Sequence, residues 1–177
     1  MKSSIFRRTR SAARTARPDF ASEPGRGQES VWDYPRPPAI RRDNRAIEVR
    51  SDNVAIAKTA ASYKIMETAS PPTFYVPPDD VDLDMLVRLT GSTICEWKGA
   101  ASYWAVATDT NQPVAWSYER PRARFEMIRG FLAFYPGRVE CFIDSERVQP
   151  QPGRFYGGWI TSDICGPFKG EPGTGHW

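Results

Sequence analysis

Histidine is almost missing from this chain. Among 177 residues there is one, His176, next to the C-terminal residue of the sequence. A nucleophile in the body of the chain therefore has no nearby imidazole base to rely on. Cysteine is nearly as scarce: Cys95, Cys141 and Cys165, with no Cys-x-x-Cys pair. An odd, widely spaced set is not a disulfide framework and points to a reduced, cytoplasmic protein. Structural zinc sites draw their ligands in close pairs, because a tight turn presets two positions. Cys95, Cys141, Cys165 and His176 are 46, 24 and 11 residues apart, so neither metal nor cofactor is expected. No apolar run approaches the roughly 20 residues that cross a bilayer, so no membrane association is expected. The Gly-rich loop and Lys-Ser/Thr of a phosphate-cradling strand-to-helix turn are also missing. The glycines of "GEPGTGHW" have no helix after them.

Acid is absent from residues 1 to 17, which hold six of the 24 basic residues. That leaves 18 basic against 21 acidic residues from Pro18 onward, so the net +3 of the whole chain becomes −3 for its body. A nucleic-acid partner needs a basic face on the folded domain and is not expected. The Arg-, Ser- and Ala-rich start reads as a disordered extension, or as a mitochondrial or plastid transit peptide if the source is eukaryotic. Composition divides the chain into a leader (1–28), a β-rich core with an N-terminal arm (29–150) and a loop-rich C-terminal segment packed on the core (151–177). Oligomeric state is left open.

What is present is mostly strand. Residues 18 to 30 read as linker, and "WDYPRPP" as a stiff extended arm with Trp32 and Tyr34 as buried anchors. "AIEVRS" and "VAIAKT" flank Asp52-Asn53, a hairpin signal. "YKIMET" alternates, placing Tyr63, Ile65 and Glu67 on one face. "TFYV" is a short strand stopped by prolines. "PDDVDLDMLVRLTG" reads as a helix, with Val81, Met85 and Leu89 at i, i+4, i+8 and Gly91 as its stop. "ASYWAVAT" and "PVAWSYE" read as paired strands, "PRARFEMIRG" as a second short helix, and "FLAFYPGRVECFIDSERV" as a hairpin closed through Pro136-Gly137. The expected fold is one mainly β domain, a twisted sandwich or open barrel with two short helices.

Several stretches carry a resemblance: "ESVWDYPRPP", "METASPPTFYVPPDDV", "CEWKGAASYW", "AWSYERP", "GFLAFYPG" and "FYGGWITSDICGPFKG". Together they resemble the bacterial and fungal family called domain of unknown function 427, from about Glu29 to Trp177. The resemblance implies a β-tent fold of the kind also found in some zinc-binding and methionine-sulfoxide-reducing domains. Members of the family are sometimes labelled nucleotidyltransferase-like. Zinc-holding tent folds use two Cys-x-x-Cys pairs, which this chain lacks.

"ICEWKG" (94–99) is echoed by "ICGPFKG" (164–170), each with Ile-Cys, an aromatic and Lys-Gly. The first stands before a strand rich in rings, so Lys98 is expected to reach a cleft. In the second, Phe168 is expected to pin the chain and Lys169 to be solvated. The expected site is an aromatic-lined pocket for a small anionic or carbonyl-containing ligand. Its binding residues are Tyr63, Glu67, Trp97, Lys98, Tyr103 and Trp116, with Lys98 and Glu67 as a polar pair. An enzyme of transferase or hydrolase type would run on Glu67 and Lys98, or on Cys95 as nucleophile if the 95–98 segment turns so that Lys98 meets the thiol. A third possibility is a scaffold whose partner surface is the "WDYPRPP" arm.

Overall fold

Period-two alternation sorts the central strands of this chain into two faces. The computed structural model describes residues 17–177; the leader expected before Arg17 lies outside the described residues. Among the described residues fifteen strands follow in order: β1 (Glu29–Ser30), β2 (Ala39–Asp43), β3 (Ile47–Ser51), β4 (Val54–Thr59), β5 (Ser62–Met66), β6 (Thr73–Val76), β7 (Leu86–Cys95) and β8 (Gly99–Val106). They continue with β9 (Ala115–Ser117), β10 (Leu132–Phe134), β11 (Glu140–Ile143), β12 (Glu146–Arg147), β13 (Gln149–Pro150), β14 (Trp159–Ile160) and β15 (Ile164–Cys165). Seven form one sheet in the order β2-β5-β6-β10-β9-β8-β7, and four form a second, β12-β11-β3-β4. The mainly β single domain expected from sequence is what the structure shows, and among the described residues no barrel closes.

The two sheets face each other across the main core. From the large sheet come Phe74, Val76, Ala115, Leu132 and Phe134; from the small one Ile47, Val49, Ile56, Cys141 and Ile143. Each of these residues alternates with one that points away. Tyr75 lies between Phe74 and Val76, and Trp116 follows Ala115, so both rings stand on the outer face of the large sheet. Trp104 turns inward while Tyr103 turns outward. A third cluster, around Val31, Tyr34, Met66 and Ile164, joins the N-terminal arm to the C-terminal segment.

The Asp52-Asn53 turn takes positive φ at both residues, 48° and 65°, matching the strand twist of β3 and β4. Three expectations are corrected. Residues 78–91 do not form a helix but two 3-10 turns, Pro78–Asp80 and Leu83–Met85, and then the start of β7. The Asp82 side chain accepts from the Asp84 amide, a local bond that competes with helix. The β-branched Val87, Thr90, Thr93 and Ile94 favour extended chain. Gly91, with φ 97°, lies in the register shift between Arg88 and Ser92 and is no helix stop. The second expected helix is 3-10 in form, Ala123–Ile128, and buries Phe125 and Ile128. Pro136-Gly137 closes no hairpin either: it hands the chain from β10 in one sheet to β11 in the other. The hairpin there is β11–β12, through Asp144 and Ser145.

Residues 18–30, linker by composition, make defined contacts. The Ser22 amide donates to Gly166 O at 2.9 Å, and the Phe20 ring lies 5.1 Å from Trp32 and 5.2 Å from Trp177. The arm is part of the core, since Val31 is fully buried and β1 pairs in parallel with β15. Trp159 is also fully buried; its Nε1 donates to Phe134 O at 2.9 Å and its ring meets Phe74. Among the described residues no helix is long and apolar enough to cross a membrane.

Candidate functional site

The outer face of the large sheet would be an exposed carpet of rings if nothing covered it. Two flanking pieces rise beside it: the β7–β8 hairpin on one side and the chain from Gln151 to Gly157 on the other. Between them lies a cleft of about 230 Å3. Its floor is Ile65, Tyr75, Ala101, Tyr103 and Trp116, each placed there by strand alternation. Thr93, Ile94 and Cys95 form one wall, and Phe155, Tyr156 and Gly157 the other.

The rings form one connected set. Trp116 Nε1 donates to Tyr75 Oη at 3.3 Å, and the Trp116 and Tyr135 rings are 4.5 Å apart. The Tyr75 and Tyr118 rings are 6.4 Å apart, and Tyr103 Oη lies 2.6 Å from Thr93 Oγ1. Burial pushes the phenols of Tyr75, Tyr118 and Tyr135 well above the usual tyrosine range. They remain neutral hydroxyls at physiological pH and keep a proton to donate.

Lys98 comes from the tight turn that joins β7 to β8. Residues 96–98 turn, and Cys95 pairs across to Gly99. This brings Cys95 and Lys98 to the same cleft. Lys98 Nζ stands 5.8 Å from the Tyr118 ring centre and 5.9 Å from that of Phe125. Arg122 N donates to Lys98 O at 3.0 Å and holds the turn.

Glu67 also lines the cleft, yet no ion pair joins it to Lys98 among the described residues. It is held by Arg36 Nε at 3.3 Å and accepts from Trp97 Nε1 at 3.3 Å. The Lys98–Glu67 pair is thus corrected to an Arg36–Glu67–Trp97 group beside a separate Lys98. Tyr103 and Trp116 line the cleft as well. Trp97 and Tyr63 are not among its lining residues: Trp97 bonds to Glu67, and Tyr63 is turned toward Phe131 and Arg42.

Lys169, expected in solvent, is a cleft residue too. Its Nζ donates to Trp177 O at 2.8 Å and lies 5.6 Å over the Tyr156 ring. Gln151 is buried and pins this wall: its Nε2 donates to Lys169 O at 2.7 Å and its Oε1 accepts from Gly158 N at 3.0 Å. Tyr75, Tyr118, Tyr135 and Lys169 were not among the expected site residues. Tyr75 was legible, because it alternates with two inward residues in "TFYV". Lys169 was not, because its place depends on how the C-terminal segment folds back.

A larger hollow, of about 640 Å3, lies on the small sheet among Glu48, Arg50, Lys58 and Phe142. Its charges satisfy one another, with Glu48 paired to Arg50 at 2.7 Å and to Lys58 at 3.1 Å. Among the described residues, no group of three or more His, Cys, Asp and Glu side chains is placed to hold a metal ion. Cys141 is buried in the main core, which pushes its thiol well above the usual range.

No curated protein matches the chain. A family profile does, over residues 39–145. The matched stretch contains the cleft floor, the β7–β8 hairpin and Lys98, and it ends before Gln151 and Lys169. It spans well over half of the chain, which therefore belongs to the family described as Domain of unknown function (DUF427).

Proposed function

We propose that the chain binds a small anion in the cleft on the outer face of the large sheet. One observation carries this reading: Lys98 lines an aromatic-walled cleft, its Nζ 5.8 Å from the Tyr118 ring centre, and no carboxylate is paired to it among the described residues. A cation there is held by ring faces, whose attraction is worth about 0.5–2 kcal/mol and leaves most of its charge uncompensated. Neutral phenols around it supply hydroxyl donors, the chemistry that orients a carboxylate or phosphate oxygen. Glu67, which lines the same cleft, is engaged by Arg36 and Trp97.

The test is thermal unfolding of the full chain with acetate or inorganic phosphate at constant ionic strength. A ligand at 100 times its Kd stabilises by about 2.7 kcal/mol, enough to move the midpoint by several degrees. Lys98→Met keeps the packing over Tyr118 and Phe125 but removes the charge. It is expected to abolish the shift while leaving the midpoint without ligand almost unchanged. An anion response that survives in Lys98→Met removes the proposal.

A further inference from the structure

The rim of the cleft is apolar and open to water. Ile94 is 81% exposed, Phe155 72% and Tyr156 37%. Single exposed apolar residues are ordinary. Three around the mouth of one cleft are not, because each contributes apolar surface that a partner group would remove from water. Phe155 and Tyr156 meet edge to face at 5.1 Å, so two of the three are already ordered. Lys169 Nζ lies over the Tyr156 ring at 5.6 Å. The interior, about 230 Å3, is smaller than the roughly 300–1,000 Å3 of sites that enclose drug-sized ligands. A carboxylate or phosphate group held at Lys98 takes up only part of it, and a long apolar substituent on that group has the exposed apolar rim to extend toward.

Resting on the proposed anion binding, we infer that the ligand is an amphipathic organic anion. It is a carboxylate or phosphate monoester whose charged end lies among Lys98, Tyr103 and Tyr118, and whose apolar substituent lies on Ile94, Phe155 and Tyr156. The occupant of the rim is thus the ligand's own substituent, because the positive charge and the apolar surface belong to one continuous cleft.

Calorimetric titration of the full chain with matched probes tests this: octanoate against acetate, octyl phosphate against inorganic phosphate, and 1-octanol as the uncharged control. Octanoate and octyl phosphate are expected to bind at least tenfold tighter than their short partners. Ile94→Ser and Phe155→Ser, both at exposed positions, are expected to reduce that advantage several-fold. Whichever head group binds more tightly identifies the anion class. If acetate binds in a Lys98-dependent way and octanoate binds no better, the amphipathic ligand is wrong and anion binding stands. If 1-octanol equals octanoate and Lys98→Met changes nothing, both readings fall. If sedimentation shows a dimer that Phe155→Ser dissociates, with no gain from the octyl chain, the rim joins two copies of the chain and the inference is overturned.

Discussion

Lys98 and Lys169 follow nearly the same local sequence and reach the same cleft by different physical routes. Lys98 is set by a turn between two paired strands, and Lys169 by a segment that returns over the sheet. Around them, the buried phenols make a measurable promise. Tyr75, Tyr118 and Tyr135 have their ionisation pushed above the ordinary value of 10.0 by burial, and so does Tyr34. A group whose pKa is raised by folding adds stability that is full below its unfolded value and is lost as pH climbs through the folded one. Native protein at about pH 11 should therefore show far less tyrosinate absorbance than its seven tyrosines would give free in water, and the remainder should appear only with unfolding. Full ionisation in the folded state contradicts the buried network. The thiols divide similarly. Cys141 should resist a thiol reagent until the chain is denatured, while the partly exposed Cys95 should react in native protein.

Elements add constraints that single residues do not show. Gly157 packs so close to Trp116 that a Cβ there would collide with its ring, with Tyr135 next in line at 3.1 Å. Gly157→Ala is expected to cost about 1–3 kcal/mol, as overpacking does, and to weaken the anion response, since the wall must move outward. A loss of stability with unchanged anion affinity would mean that this wall is not part of the site. The β11–β12 turn holds the opposite opportunity. Ser145 sits at φ 70°, in the left-handed region that is unfavourable for side chains with a Cβ. Ser145→Gly should raise the unfolding free energy by up to about 1 kcal/mol, read as a higher urea midpoint with an unchanged slope.

At the scale of the molecule, both ends of the described chain hold the domain together. Glu29 in β1 accepts from Lys64 at 3.0 Å and from Tyr34 at 2.8 Å. Burial alone would raise its pKa, but these bonds outweigh burial and hold it below the ordinary 4.5. Asp43, also opposed by burial, is lowered from 3.8 by Arg45 in the same way. Lowered carboxylates stabilise above their unfolded values and lose that contribution as pH falls through the folded ones. Stability should therefore decline below about pH 4.5, and Glu29→Gln should flatten that decline. Trp159→Ala, at a fully buried ring shared by Phe74 and Phe134, is expected to cost roughly 3–5 kcal/mol.

Alternation in "TFYV" and "SYWAV" set neighbouring side chains on opposite faces, because a strand's side chains can only alternate, and which face became core was decided by the second sheet that covers it. The Asp52-Asn53 hairpin was as plain, since that turn chemistry suits few other conformations. The sequence could not show that 82–95 would pass from turn to strand. Helical spacing of Val81, Met85 and Leu89 competes there with β-branched residues, and pairing with β8 decides it. Nor could it bring Lys169, Gln151 and Tyr156 beside Lys98, over 50 residues away. Local sequence specifies faces and turns through short-range sterics. Which distant faces meet is fixed only when burial of Trp159 and Val31 folds the two ends of the described chain onto the sheet, and the cleft exists only after that.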